Sequence, residues 1–240
     1  MSSKFNKRIA IPILLTLFLS TVVYTRLYAG DTIRPMVIKS WKAYRSQALK
    51  DPVARMVELK SRIPNIVYDL RYATENNFVG KRMYPANTTK TFLRQPAAEA
   101  LALVQADLNR LGLGVKIFDA YRPFSVTEEF WELIRDERYV ANPAKGSNHN
   151  RGIAVDLTII DLKTGNELDM GTGFDNFTDS AHHSFAGFSE EILQNRLLLK
   201  STMEKYGFRP LTTEWWHYYF GEPARFPLLD LSFRKLQKPV

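Results

Sequence analysis

Ser147-Asn148-His149-Asn150-Arg151-Gly152-Ile153-Ala154-Val155-Asp156 runs on through Leu157-Thr158-Ile159-Ile160, and the reading of this stretch decides the fold. Its pattern predicts a strand from Gly152 to Ile160. In that strand Ala154 and Asp156 share one face, while Ile153, Val155 and Leu157 share the other. The apolar face goes to the core, so Asp156 is presented on the opposite side, with space left beside it by the small Ala154. His149 stands at the entry from loop to strand, and Gly152 lets the backbone turn sharply after it. A histidine and an aspartate therefore meet at one end of a strand.

The neighbouring segments supply the rest of the architecture. Ile66 to Tyr72, Val115 to Asp119 and Trp215 to Phe220 read as further strands, and Lys163-Thr164-Gly165-Asn166 as a hairpin turn leading to Glu167-Leu168-Asp169. Pro96 opens a helix in which Ala100, Leu101, Val104 and Leu108 recur at helical spacing until Gly112 stops it. Ser125-Val126-Thr127-Glu128 reads as a capping box for a helix to about Asp136. Ser189, followed by Glu190 and Glu191, caps a helix ending near Tyr206-Gly207. Residues 138–150 and 170–188 read as loops. Helices and strands do not alternate strictly, so the fold class is α+β: a mostly antiparallel sheet with helices packed on it.

A second short stretch, Glu214-Trp215-Trp216-His217, completes a donor set. The chain has four histidines, and two of them fall in these two stretches. His149, Asp156 and His217 offer three ligands, and Glu214 lies near them without being needed as a fourth. A catalytic zinc site needs three protein ligands, an open fourth position and a carboxylate that moves protons. The helical H-E-x-x-H pattern of common metalloproteases is absent. Residue chemistry alone leaves two readings open: an open zinc site, or ordinary histidines beside a turn-capping aspartate with tryptophans that merely pack.

Composition narrows the field. There is no cysteine, which removes thiol proteases, thiolate metal sites and disulfides together. The 240 residues carry 33 Lys and Arg against 25 Asp and Glu, a net charge of +8. Residues 1–29 hold four of those bases and no acid, so half of the excess belongs to the leader. The remainder is too mild to argue for a nucleic-acid partner.

That leader has the pattern of an export signal. Lys4, Lys7 and Arg8 precede an uncharged, mostly apolar run from Ile9 to Tyr24, and Leu27-Tyr28-Ala29 before Gly30 reads as a cleavage site. Uncleaved, residues 9–24 would be a membrane attachment, although the run is short of the ~20 residues that span a bilayer. The expected location is outside the cytoplasm, in the periplasm or cell envelope. The expected organisation is a signal peptide or N-terminal anchor over 1–29, a basic linker or docked N-terminal helix over 30–60, and the zinc domain over 61–240.

The same residues carry a resemblance. Ser147-x-His149-x-x-Gly152-x-Ala154-x-Asp156 with Glu214-x-x-His217 resembles the D-alanyl-D-alanine dipeptidases of the vancomycin-resistance type. They belong to a larger group of zinc D,D-peptidases that shares its fold with the hedgehog signalling domain. The similarity extends over roughly residues 63–222. It includes Tyr72-Ala73-Thr74 with Asn77-Phe78, Asp119-Ala120-Tyr121-Arg122-Pro123, Met170-Gly171 with Phe174-Asp175, and Ser180-Ala181-His182-His183. It continues through Gln194-Asn195-Arg196 and Met203 to Gly207-Phe208.

The resemblance implies that His149, Asp156 and His217 bind one zinc ion per chain, with Glu214 as general base and acid. It implies that Arg122 stabilises the oxyanion and that Asp175, Ser147 and Tyr84 hold the free ammonium of a small D,D-dipeptide. His182 and His183 are expected to be structural or to support the ligands from outside. The export signal, the basic segment and a shorter loop between Trp131 and His149 depart from the resistance-enzyme pattern. Two rival readings remain: a zinc D,D-carboxypeptidase acting on peptidoglycan stem peptides, and a zinc-bearing binding domain without catalysis.

Overall fold

Five strands form the sheet that carries both of the stretches quoted above, and two short ribbons brace it. The computed structural model describes residues 35–240. The export segment expected over residues 1–29 lies outside the described residues.

The described chain begins with strand β1 (Val37–Ile38) and helix α1 (Trp41–Lys50). Ser40 caps α1 by accepting from the Ala43 amide. Trp41, Tyr44 and Ala48 recur on its inner side, and the Tyr44 hydroxyl accepts from the Met56 amide at 2.7 Å. Strand β2 (Met56–Glu58) and helix α2 (Leu59–Arg62) follow. The basic segment expected before residue 61 is therefore a folded layer over its described part. The boundary moves accordingly, because the compact unit runs from Pro35 to Val240.

Strand β3 (Val67–Tyr68) is shorter than the expected Ile66–Tyr72, because the chain enters a 3-10 turn at Arg71–Ala73. Next come β4 (Phe92–Arg94), α3 (Gln95–Asn109) with Pro96 in its first turn, and β5 (Leu113–Asp119). Helix α4 spans Phe124–Leu133 with Pro123 as its N-cap residue. The expected capping box does not form there. Ser125 lies inside the helix, and its amide and hydroxyl both donate to Asp230 Oδ1, at 3.1 and 2.8 Å.

The site-bearing half follows. It consists of α5 (Asn148–Arg151), β6 (Ala154–Asp161), α6 (Glu190–Lys205), β7 (Phe208–Leu211) and β8 (Glu214–Phe220). The chain closes with β9 (Leu228–Leu229) and α7 (Phe233–Leu236). The main sheet has the order β3-β5-β6-β8-β7. Within it only the β3–β5 pair is parallel, so the sheet is mostly antiparallel, as the pattern implied. β2 pairs antiparallel with β4, and β1 pairs in parallel with β9.

β6 is central, and Ala154 to Ile160 are all buried. Val155, Leu157 and Ile159 join the main apolar cluster, together with Leu101, Val104 and Leu108 of α3. The other face of β6 is covered as well, and there Asp156 forms part of the floor of a cleft.

Candidate active site

Strand register brings the first residues together. Asp119 at the end of β5 is the Cα partner of Asp156 on β6, and Asp156 is in turn the partner of His217 on β8. Directly opposed residues on neighbouring strands project to the same face. Three adjacent strands thus lay Asp119, Asp156 and His217 in one row.

His149 arrives from the end of that row. It lies in the short helix α5, not in the loop the sequence suggested. Ser147 caps this turn: its Oγ accepts from the His149 amide at 3.2 Å, and Asn150 Oδ1 accepts from the Ser147 amide at 2.9 Å. Gly152 ends the helix at φ +73, where a Cβ would meet Met56 Sδ at 2.6 Å. The expected sharp turn is real, and it aims His149 back over β6.

The donor set fits a metal ion. His149 Nδ1 lies 2.7 Å from the Ala120 carbonyl, so this nitrogen carries the proton and the Nε2 lone pair faces inward. His149 Nε2 stands 3.2 Å from His217 Nδ1 and 3.3 Å from Asp156 Oδ2. His217 Nδ1 is 2.9 Å from Asp156 Oδ1. One ligand atom from each residue lies within 4.8 Å of the others. Two imidazoles and one carboxylate converging in a buried site are suited to a divalent ion with a position left open. Burial alone would raise the Asp156 carboxyl. The two histidines outweigh it and hold this group below the usual carboxylate range.

Two further groups face this triad. Glu214, at the start of β8, has Oε2 4.0 Å from His217 Nδ1. Burial pushes its carboxyl up to about 7, against the opposing pull of His217. Arg122 follows β5 and is 8% exposed. Its guanidinium packs over the rings of Tyr72 and Phe130, at 5.1 and 4.9 Å, and one nitrogen lies 3.9 Å from Asp156 Oδ2. Burial disfavours its charge, but Asp119, Tyr72, Tyr84 and Asp156 together outweigh that and keep the guanidinium firmly protonated.

Asp119 opens the Asp119-Ala120-Tyr121-Arg122-Pro123 segment. It is fully buried and accepts from Arg122 Nε and Nη2 at 3.0 and 2.9 Å, and from the Tyr84 hydroxyl at 2.7 Å. This corrects the expectation for Tyr84. Its ring is buried behind Arg122, its hydroxyl is spent on Asp119, and it is not among the residues lining the cleft.

Tyr72, rather than Tyr84, lies beside Asp175. Its hydroxyl lies 3.1 Å from both carboxylate oxygens of Asp175, and both residues line the cleft. Asp175 sits at φ 60 in a loop pinned by Phe174, which stacks on Phe118 at 4.8 Å and meets Trp216 edge-on at 5.6 Å. Burial, then the charge of Asp156, push the Asp175 carboxyl well above the usual range. Ser147 lines the same cleft. The cleft of about 250 Å³ therefore gathers His149, Asp156, His217, Glu214, Arg122, Asp175 and Ser147, all but one of the expected site residues.

His182 and His183 do not line this cleft. The His182 carbonyl accepts from Arg196 Nη1 at 3.2 Å, and the His183 ring meets Tyr218 edge-on at 5.9 Å.

A buried guanidinium and a second carboxylate face a metal-capable triad, an arrangement suited to peptide hydrolysis. The comparisons with known proteins make the chain a peptidase. The chain matches the peptidase M15 family, described as D-ala-D-ala dipeptidase, over residues 52–238, and it belongs to that family. It is 37% identical over 178 residues to a D-alanyl-D-alanine dipeptidase of Escherichia coli K12, covering 74% of this chain and 91% of that one. To the enzyme so named from Enterococcus faecalis V583 it is 32% identical, covering 67% and 88%. To that from Streptomyces coelicolor it is 30% identical, covering 67% and 88%.

Proposed function

We propose that this chain hydrolyses the D-alanyl-D-alanine dipeptide, using one zinc ion held by His149, Asp156 and His217. The observation that carries the substrate assignment is Asp175. It is a carboxyl group held by Tyr72 in the wall of the same cleft, and an incoming ammonium there would favour its charged form. A zinc ion held by the three ligands would supply Lewis acidity and would lower the pKa of a water molecule.

The chain's own residues do the rest. Glu214 accepts a proton from the attacking water and returns it to the leaving amine as the C–N bond breaks. Its raised proton affinity suits both halves of that transfer. Arg122, held in place by Asp119, faces the negative charge that develops on the carbonyl oxygen. Such a fixed donor in a dry site contributes on the order of 3 kcal/mol. Asp175, Tyr72 and Ser147 receive the substrate ammonium. A cleft of about 250 Å³ suits a small substrate, since pockets for larger ligands run from about 300 to 1,000 Å³.

The setting we propose is cell-wall peptide turnover, salvage or glycopeptide resistance, in the periplasm or cell envelope after export through residues 1–29. If the leader is retained, residues 9–24 attach the enzyme to a membrane. A second reading has one observation in its favour. An adjoining cleft of about 320 Å³, reaching Thr178, Asp179 and His182, shares Tyr139, Phe177 and Glu214 with the first. That continuity would admit a longer chain, as a D,D-carboxypeptidase acting on stem peptides needs.

The test is hydrolysis by the zinc-loaded full chain of free D-alanyl-D-alanine and of an N-acylated stem pentapeptide, with and without chelator. Turnover of the free dipeptide that chelation abolishes and zinc restores supports the first reading. Preference for the blocked peptide transfers the assignment to the second. Turnover of neither overturns both.

A further inference from the structure

The charge of this chain is segregated. Residues 35–55 and 225–240 together carry nine Lys or Arg and two Asp, a net charge of +7. Residues 56–224 carry nineteen bases and twenty-two acids, a net charge of −3. The fold gathers the two basic segments. β1 and β9 pair in parallel, Val37 with Leu228 and Ile38 with Leu229, so α1 and α7 leave the same end of one ribbon.

These charges are not compensated. Lys42 and Arg45 on α1, and Arg234, Lys235 and Lys238 on or just after α7, are exposed and have no ion-pair partner among the described residues. Lys39 has only Asp230, at 4.0 Å. Elsewhere exposed arginines do find carboxylates, as Arg135 finds Glu132 and Arg209 finds Glu222. Unpaired like charge held together repels itself, and an opposing anionic surface relieves that repulsion.

Apolar side chains accompany the charge. Lys42, Arg45 and Leu49 share the outer side of α1, opposite the inward Tyr44 and Ala48. Leu49 is 49% exposed, and Met36 beside β1 is 70% exposed. A helix side that mixes lysine, arginine and exposed leucine has the character of one lying at a lipid headgroup layer. Nucleic acid would match the charge but offers nothing to the leucine and methionine. Chain connectivity points the same way. Only the ten residues 25–34 separate the uncharged run Ile9 to Tyr24 from Pro35 in the sequence.

We propose that the pole formed by α1 and α7 docks on an anionic phospholipid surface, with Met36 and Leu49 entering the headgroup layer and the basic side chains meeting lipid phosphates. None of these residues lines the catalytic cleft, so the proposal stands or falls apart from the hydrolytic reading.

The experiment is partitioning of the full chain onto vesicles of phosphatidylcholine alone and of phosphatidylcholine with roughly one-third phosphatidylglycerol. The variant Lys42→Glu/Arg45→Glu/Lys235→Glu/Lys238→Glu is compared with wild type, with circular dichroism as a check on folding. The neutral vesicles measure what the apolar groups, residues 9–24 with Met36 and Leu49, contribute without the charge. We expect wild type to partition about tenfold or more better onto the anionic vesicles, and the variant to lose that gain. Raising the salt from about 0.1 M to about 1 M shortens the screening length from about 10 Å to about 3 Å and should erase the same gain. Leu49→Ser, which leaves every charge in place, should weaken partitioning severalfold. Equal partitioning of wild type and both variants overturns the proposal, as does binding to single-stranded polynucleotide as tight as to anionic vesicles.

Discussion

Arg122 donates twice to a single carboxylate oxygen of Asp119, from Nε at 3.0 Å and from Nη2 at 2.9 Å. The other Asp119 oxygen accepts from the Tyr84 hydroxyl at 2.7 Å and from the Ala120 amide at 2.9 Å. A fully buried carboxylate with four donors fixes the guanidinium before substrate arrives. On the proposed mechanism Asp119 is a positioning residue that acts through Arg122. Asp119→Asn keeps the shape, weakens the clamp and should lower kcat on the order of 10²-fold with a smaller change in KM. Asp119→Ala leaves a buried guanidinium unpaired and should cost about 3–5 kcal/mol in stability. Steady-state kinetics and urea unfolding of the two variants separate these effects. Loss of stability with kcat unchanged would show Asp119 to be structural only.

On the proposed reading, substrate choice turns on Asp175. Replacing it with Asn removes the charge that an incoming ammonium needs. A charge-assisted hydrogen bond contributes about 1.5–3 kcal/mol, so kcat/KM for the free dipeptide should fall about ten- to a hundredfold. Tyr72→Phe removes a neutral donor and should cost less, about two- to tenfold. Neither change should harm hydrolysis of an N-acylated peptide. Equal losses on free and acylated substrates would remove Asp175 from the amine site.

Much of this site is legible in the sequence alone. The triad, Glu214 and the turn at Gly152 lie in two contiguous stretches, where ligand type and strand alternation are local signals. The roles of Arg122, Asp175 and Ser147 rest on a family pattern, and the three fall in the same cleft. Tyr72 and Asp119 escape such a reading because their roles are made by distant partners. Tyr72 reaches Asp175 across 103 positions, and Asp119 joins the row only through pairing with β6. The same cause moves Tyr84 out of the substrate site and pulls residues 35–60 into the domain. The β1–β9 pairing links strands some 190 positions apart, and two-residue strands carry no periodicity to read. Ser125 shows the converse error. Its local pattern is a sound cap, but Pro123 sets the helix start earlier and Asp230 takes the hydroxyl.

Glu214 should separate proton transfer from metal binding. Its carboxylate stands 4.0 Å from His217 Nδ1, outside the group of converging ligand atoms. Glu214→Ala should bind zinc at the wild-type stoichiometry, as metal analysis would read, while hydrolysis falls by about 10²–10⁴. Near-wild-type turnover in a zinc-replete variant would falsify the assigned role. Loss of the metal itself would place Glu214 among the ligands instead.

His183 links stability to pH away from the site. Burial, then the nearby Lys200 and Arg196, lower its imidazole from 6.5 to about 4. Its Nε2 is buried without a hydrogen-bond partner among the described residues. The folded protein therefore keeps this ring neutral, while the unfolded chain takes up a proton near its ordinary value. Because the unfolded state binds more protons in that window, stability rises with pH there. The contribution is complete above pH 6.5 and is lost as pH falls toward about 4. The ring is only partly buried, so solvent screening reduces the size of the effect. His183→Leu removes the titration and gives the buried position an apolar group. Urea unfolding should show the variant gaining on wild type as pH is lowered from neutrality to about 5. Parallel stability–pH curves for the two proteins would mean that His183 protonates freely in the folded state.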